Sequence, residues 1–369
     1  MQDRFYWAAL QASLDLGPHN LLHLYHYFPS GKAVFDAREE ELKRVPNLSR
    51  HVAEKIICQR RFIDLEKTAQ ELFEKEIKLV LLGEAEYPTY LAEIAVPPPV
   101  LYFKGKLPPG EIPLLAIVGA RSATPYGMTI AKKIAKELVQ AGWGVVSGMA
   151  RGIDTAAHEG AIQESGYTLA VLGCGIDVCY PRENQKLKEQ IQISGCLLSE
   201  FPPGTVPQPK NFPIRNRLIS GCSLGTLVVE AGEKSGALIT AGFALEQGRD
   251  VFAVPGPVTS TRSRGPHGLI KQGAKLVETV DDIIEEFSYL NFPKQGPKQV
   301  TQKKELNLAP EEVNLLQFLS LEPVHIDQLA RLSGLSVSVV SGLLTLLEVK
   351  GIVKQMPGHF FICTESYYD

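Results

Sequence analysis

Between residues 114 and 254 the chain repeats one pattern: a short apolar run, a turn bearing glycine or cations, then a segment with helical spacing. The runs are 114–118, 144–147, 168–172, 196–199, 226–229 and 250–254. Runs this short, without polar alternation, predict strands buried on both faces of a mostly parallel sheet, with crossover helices as the covering layers. Between the first two runs, Thr124 is placed to cap a helix that starts at Pro125. Ile130, Ile134 and Leu138 fall on one face of that helix, and Gly142 lies past its end. In such folds ligands gather at the carboxyl ends of the strands, so the loops leaving those ends are where function is expected.

The flanks read differently. Residues 1–70 are predicted to be helical, with Leu16-Gly17-Pro18-His19 and Val45-Pro46-Asn47-Leu48-Ser49 each joining two apolar-periodic segments. Their spacing is that of paired helix-hairpin-helix units (or of a SAM-like helical domain), with Asn47 where such a turn usually carries glycine. A plain helical packing domain satisfies the same pattern. A main domain is expected over 71–290, opened by a short strand at 100–103 between two proline clusters. Residues 291–304, with two prolines and four lysines, read as a linker. Residues 305–369 read as three helices and a hairpin around Pro357-Gly358, a winged helix-turn-helix pattern. Its third helix carries no cation before Lys350, so a protein-contact or packing role is expected there rather than base reading.

Charge narrows the function classes. The net charge of −3 excludes a uniformly basic nucleic-acid binder and leaves room only for a local basic groove. No apolar run approaches the ~20 residues needed to span a bilayer, and the start does not read as a signal peptide, so a cytoplasmic protein without a membrane partner is expected. Six cysteines without C-x-x-C spacing are expected to be free and mostly buried, not zinc ligands.

Three stretches carry the chemistry. Gly119-Ala120-Arg121 follows the first strand, so a tight turn presents an arginine fork suited to phosphate. It is no G-x-G-x-x-G, and no G-x-x-x-x-G-K-[ST] occurs. Ser147 to His158, S-G-M-A-R-G-I-D-T-A-A-H, thins a strand-to-helix turn so that N–H donors face an anion, with Asp154 placed to cap the helix. Asp154 and His158 are four apart and are read either as an acid–base pair or as a cap plus a packed histidine. Lys210-Asn211-Phe212-Pro213-Ile214-Arg215-Asn216-Arg217 sets cations around one ring, which is either a base-stacking platform or a core anchor. Arg215 and Arg217 diverge on a helix, one toward phosphate and the other toward an internal acid. Lys234 points at the same mouth beside the capping Ser235. Glu230 is either a catalytic acid or the buried partner of an arginine.

Together, S-G-x-A-x-G-I-D-x-x-A-H, F-P-x-R-N-R-x-I at 212–219, K-S-G-A-x-x-T-A at 234–241, V-P-G at 254–256 and L-I-K-Q-G-A at 269–274 resemble the DNA-processing protein A (DprA/Smf) family from about Tyr87 to Glu278. The pattern departs at His267, where the family has asparagine. The resemblance implies a Rossmann-like α/β domain with optional helical and winged-helix flanks. It further implies a homodimer that binds single-stranded DNA without strong sequence preference, protects it, and helps load the RecA recombinase in natural transformation. It implies no cofactor and no enzymatic turnover. Carried over, Arg121, Lys210 and Phe212 would touch the strand, with Asn211 between them. Gly148, Arg217 and Lys234 would shape or charge the same pocket. A competing enzyme reading comes from G-T-x-x-x-E at 225–230, which is similar to nucleoside-monophosphate phosphoribohydrolases, though their P-G-G is replaced by Cys222-Ser223-Leu224.

Overall fold

A computed structural model of the 369-residue chain describes residues 2–110, 112–290, 308–320 and 323–363. The expected linker at 291–304 lies outside them. The N-terminal helices and the large sheet fall in one compact unit, and residues 308–363 fall in a second.

The sheet has nine strands: β1 (Lys78–Leu81), β2 (Val100–Gly105), β3 (Leu114–Val118), β4 (Gly144–Ser147), β5 (Thr168–Leu172), β6 (Cys196–Ser199), β7 (Gly225–Val228), β8 (Asp250–Ala253) and β9 (Lys275–Leu276). Their order is β1-β2-β6-β5-β4-β3-β7-β8-β9. Strands β3 to β9 pair in parallel, while β2 pairs antiparallel with both β1 and β6. From β3 the chain steps outward through β4, β5 and β6, then returns to lay β7 on the other side of β3. The strand order reverses between β3 and β7, and a crevice opens outside the carboxyl ends there.

Alternation along the strands explains their apolar runs. Ala170 and Leu172 face one core and Leu169 and Val171 the other, as do Leu197 and Leu198 in β6. Both faces are covered, and the polar residues that these strands do hold, Ser147, Thr168, Ser199 and Thr226, are small and buried. The helix Pro125–Gln140 starts where expected, with the Thr124 hydroxyl accepting from Gly127 N–H at 3.1 Å. Gly142, at φ 86°, ends it. Two strands go beyond the sequence reading above: β1, although Leu79-Val80-Leu81-Leu82 is an apolar run like the others, and β9, whose two residues are too few for a period.

Six helices, Asp3–Leu14 through Leu65–Glu74, precede β1. Asn47 takes the left-handed conformation that glycine would supply, at φ 61°. These helices share a core with the sheet: Trp7, Leu10 and Leu14 join Leu79, Tyr102, Leu172 and Leu197. Buried Gln11 pins the contact, donating to the Glu200 carbonyl at 2.8 Å and accepting from the Tyr102 hydroxyl at 3.1 Å.

The second unit has the expected three helices, Pro310–Leu316, Ile326–Ser333 and Val337–Val349, and the hairpin Val353–Met356 with Phe360–Cys363. Leu315, Leu329, Val340, Leu344 and Phe361 are in its core. Among the described residues no single helix is long and apolar enough to cross a membrane. All six cysteines are free; four are buried, Cys179 is half-buried and Cys58 is exposed.

Candidate nucleic-acid interface

At the reversal between β3 and β7, two tight loops press against each other. The loop after β3 turns at Gly119, where a Cβ would lie 2.5 Å from Ile153 Cγ1. The loop after β4 turns through Met149 (φ 55°) and Gly152 (φ 72°). A Cβ on Gly152 would sit 2.3 Å from the Ala120 carbonyl oxygen, so glycine is required there for both conformation and space. Gly152 also stands at the N-cap of the helix Ile153–Gln163 and offers no side-chain cap.

Asp154 departs from both of its expected roles. It lies inside the first turn, and its Oδ2 accepts from Gly148 N–H (3.1 Å) and Ala150 N–H (3.2 Å). The carboxylate thus ties down the preceding loop instead of capping the helix, and these two N–H groups are not free for an anion. Burial raises the Asp154 pKa; the Arg215 charge and the two N–H bonds oppose the rise.

His158 does not pair with Asp154. Its Nδ1 meets Thr168 Oγ1 at 2.7 Å, and that hydroxyl donates its single proton to the Val145 carbonyl. The imidazole must therefore carry its hydrogen on Nδ1, leaving Nε2 a bare acceptor, buried and unpartnered. Burial, helped by the Arg215 charge, lowers its pKa to about 3, so it is neutral across the physiological range.

The helix Asn211–Gly221 supplies the opposite wall of the cavity. Phe212 lies over Gly173, where a Cβ would come within 2.8 Å of the ring. The Arg121 guanidinium carbon stands 5.2 Å from the Phe212 centroid, that of Arg215 5.9 Å, and the Tyr180 ring 5.4 Å away at 36°. Phe212 is half-buried at the mouth of a cavity of about 330 Å3, which is also lined by Arg121, Tyr180, Arg215, Asn216 and Thr240.

Arg215 is the buried pillar of this wall. It donates to the Gly148 carbonyl at 2.7 Å and to that of Val171, joining the ends of β4 and β5. A Cβ on Gly148 would lie 2.6 Å from its guanidinium, so that glycine makes room for the arginine. Burial lowers the Arg215 pKa to about 10, with Asp154 pulling the other way.

Of the remaining expected residues, Lys210 is exposed at the N-cap of the 211–221 helix, beside Phe212. Lys234 is exposed just before Ser235, whose hydroxyl caps the helix Gly236–Glu246; Gly236 itself lines the cavity. Asn211 is buried and does not line it.

Arg217 is the correction of this group. Two positions from Arg215, it turns away from the cavity and ion-pairs with buried Glu200 while donating to the Val96 carbonyl. The internal acid is therefore Glu200, whose pKa burial raises to about 7 against the pull of Arg217. Glu230 is buried, and its carbonyl accepts from Ala120 N–H at 2.7 Å. His267, where the family pattern has asparagine, reaches the Gly256 carbonyl at 3.0 Å and ties the Val254-Pro255-Gly256 turn to its helix. Sequence reading passed over Tyr180; an aromatic before proline, just past a buried strand, was its only signal. Among the described residues no His, Cys, Asp or Glu cluster is arranged to hold a metal ion.

Residues 78–288 match the family described as DNA recombination-mediator protein A, and 299–359 match the DprA winged helix domain. The chain belongs to the DNA recombination-mediator protein A family. Among its relatives is Protein Smf of Synechocystis, 34% identical over 96% of this chain and 98% of that protein. The DNA processing protein DprA of Bacillus subtilis is 44% identical over 61% of this chain and 76% of its own. The X-ray structure of DNA processing protein A from Streptococcus pneumoniae aligns with a TM-score of 0.68 at 34% identity, covering 78% of this chain and 98% of that one. DNA processing protein A from Helicobacter pylori, described for its single-stranded DNA binding mode, aligns with a TM-score of 0.52 at 27% identity over 58% of this chain and 98% of its own. Within the family, then, this chain has a mostly parallel Rossmann-like sheet and a C-terminal winged helix.

Proposed function

We propose that the chain binds single-stranded DNA at the rim of the sheet, without strong sequence preference and without breaking a bond, and passes it to the RecA recombinase during transformation. One observation carries the reading: an exposed cation, Arg121, stands against a ring, Phe212, at the mouth of a cavity at the strand-order reversal. A phosphate meets the guanidinium while a base meets the ring, and every base has a π face, so sequence preference is weak. Lys210 and Lys234 extend the charge on either side. The single-stranded DNA binding mode described for the Helicobacter pylori relative supports the same reading.

Binding without turnover is supported by how the polar groups beside the cavity are employed. Asp154 is engaged by two backbone N–H groups, and His158 is neutral with its donor nitrogen committed to Thr168. The winged helix is read as a contact for protein: Val337–Val349 has no cation and exposes Val337, Val339, Leu346 and Val349. The protein is read as a cytoplasmic homodimer, with 291–304 as the linker between the Rossmann-like and winged-helix parts.

The test is a fluorescence-anisotropy titration of the full chain with a labelled oligo-dT strand, with duplex as competitor. Saturable binding that duplex does not displace is expected. Release of free base from a nucleotide panel, abolished by Glu230→Gln, would instead establish the phosphoribohydrolase reading.

A further inference from the structure

We infer that Tyr180 is a second stacking ring of this site, so that the pocket engages two bases of the strand, one against each ring. The inference rests on the strand-binding reading above and adds to it a residue and a number of bases. Tyr180 and Phe212 come from different elements, one from the loop after β5 and the other from the start of the 211–221 helix, yet both line one cavity. Their centroids are 5.4 Å apart and their planes open at 36°. Rings packed only for burial would be covered, but Tyr180 keeps 42% of its surface exposed. Among the described residues its hydroxyl has no hydrogen-bond partner, so nothing polar explains its position at the mouth.

The loop that carries Tyr180 is anchored on both sides of the ring. Val178 N–H donates to the Gly175 carbonyl at 2.9 Å, and the buried Lys188 ammonium donates to the Val178 carbonyl at 3.0 Å. Beyond the ring, the Asn184 amide reaches the Met149 carbonyl at 3.0 Å and Thr155 Oγ1 at 2.9 Å. Asp177 accepts from Gly204 N–H and from the Lys75 ammonium, both at 2.8 Å. A ring held in place before binding costs little to order, which is what a stacking platform requires. The two rings are tilted by 36° rather than coplanar, and Arg121 lies 5.2 Å from the Phe212 centroid, placed to meet a connecting phosphate. Duplex bases already have stacking partners, so two platforms favour a single strand twice over.

The experiment compares the full-length protein and its Tyr180→Ala, Tyr180→Phe and Tyr180→Leu variants on an oligo-dT strand and on an abasic strand of equal length. Stacked bases contribute ~1–3 kcal/mol each, so Tyr180→Ala is expected to weaken dT binding by about 5- to 150-fold. Tyr180→Phe is expected to retain wild-type affinity, and Tyr180→Leu, which keeps apolar bulk without a π face, to lose it. All four proteins are expected to bind the abasic strand alike. The inference is overturned if Tyr180→Ala holds dT as tightly as the wild type, if Tyr180→Phe fails as alanine does, or if the loss is equally large on the abasic strand, which would make the residue a prop for the loop. A wild-type protein that binds neither strand overturns the strand-binding reading itself, a result separable from every one of these.

Discussion

The site has two layers built from the same residue types for opposite ends. In the outer layer, Arg121 and Lys210 are exposed beside Phe212 and Tyr180. In the inner layer, Arg215, Asp154, His158 and Glu200 are buried and Arg217 is half-buried, each engaged by backbone groups or by a neighbouring side chain. An exposed arginine gives up little stability and keeps its hydrogen bonds for a ligand. A buried one is useful only if its surroundings already satisfy it. On the proposed reading, the exposed cations are left for the strand while the half-buried and buried ones hold the strand ends in place.

Breaking the inner layer has the largest expected effect. Arg215→Met leaves Asp154 buried without its opposing charge and frees the Gly148 and Val171 carbonyls; a loss of ~3–5 kcal/mol in urea unfolding is expected. A variant as stable as the wild type would erase the distinction between the layers. Arg217→Met comes next, and its cost depends on pH. Glu200 has a pKa of about 7 when folded against an ordinary value of 4.5, so its contribution is present at low pH and is lost as pH rises through about 7. Without Arg217 the neutral form is needed still more, so the variant's deficit should be smaller at pH 5 than at pH 8. Strand affinity of the folded variant should be unchanged.

The outer layer should behave in the opposite sense. Arg121→Ala or Lys210→Ala is expected to change stability by no more than ~0.5 kcal/mol. Each is expected to weaken strand binding by ~1.5–3 kcal/mol, as for a charge-assisted contact. The slope of log affinity against log salt should flatten by ~0.7 per phosphate lost. Unchanged affinity in both would mean that the rim is not the interface. At neutral pH the smallest effect belongs to His158→Gln. The folded pKa of about 3 lies below the ordinary 6.5, so neutral His158 contributes stability above pH 6.5 that is lost as pH falls toward 3. Removing the titration should flatten that acid limb in a pH series of urea midpoints.

The sheet and its crossover helices were legible because burial on both faces writes itself as short apolar runs, and because Thr124, Pro125 and Gly142 mark a helix's ends. The layers of the site were harder to read. Arg215 and Arg217 sit about 200° apart around one helix, and nothing local says which of the two faces the ends of β4 and β5. Asp154 looked like a cap because it follows a glycine turn, yet the N-cap position falls on Gly152 and the carboxylate reaches backward. Tyr180 is on a loop with no periodic neighbours, so only the fold reveals which ring it stands beside.

The core that joins Trp7, Leu10 and Leu14 to Leu79, Tyr102 and Leu197 bears on how the gene can be cut. A fragment starting at β1 would expose that side of the sheet to water and leave the Tyr102 hydroxyl without Gln11. Such a fragment is expected to precipitate or to recruit some other cover. For expression, crystallisation or domain grafting, keeping the first seventy-odd residues with the sheet is expected to give the better-behaved piece.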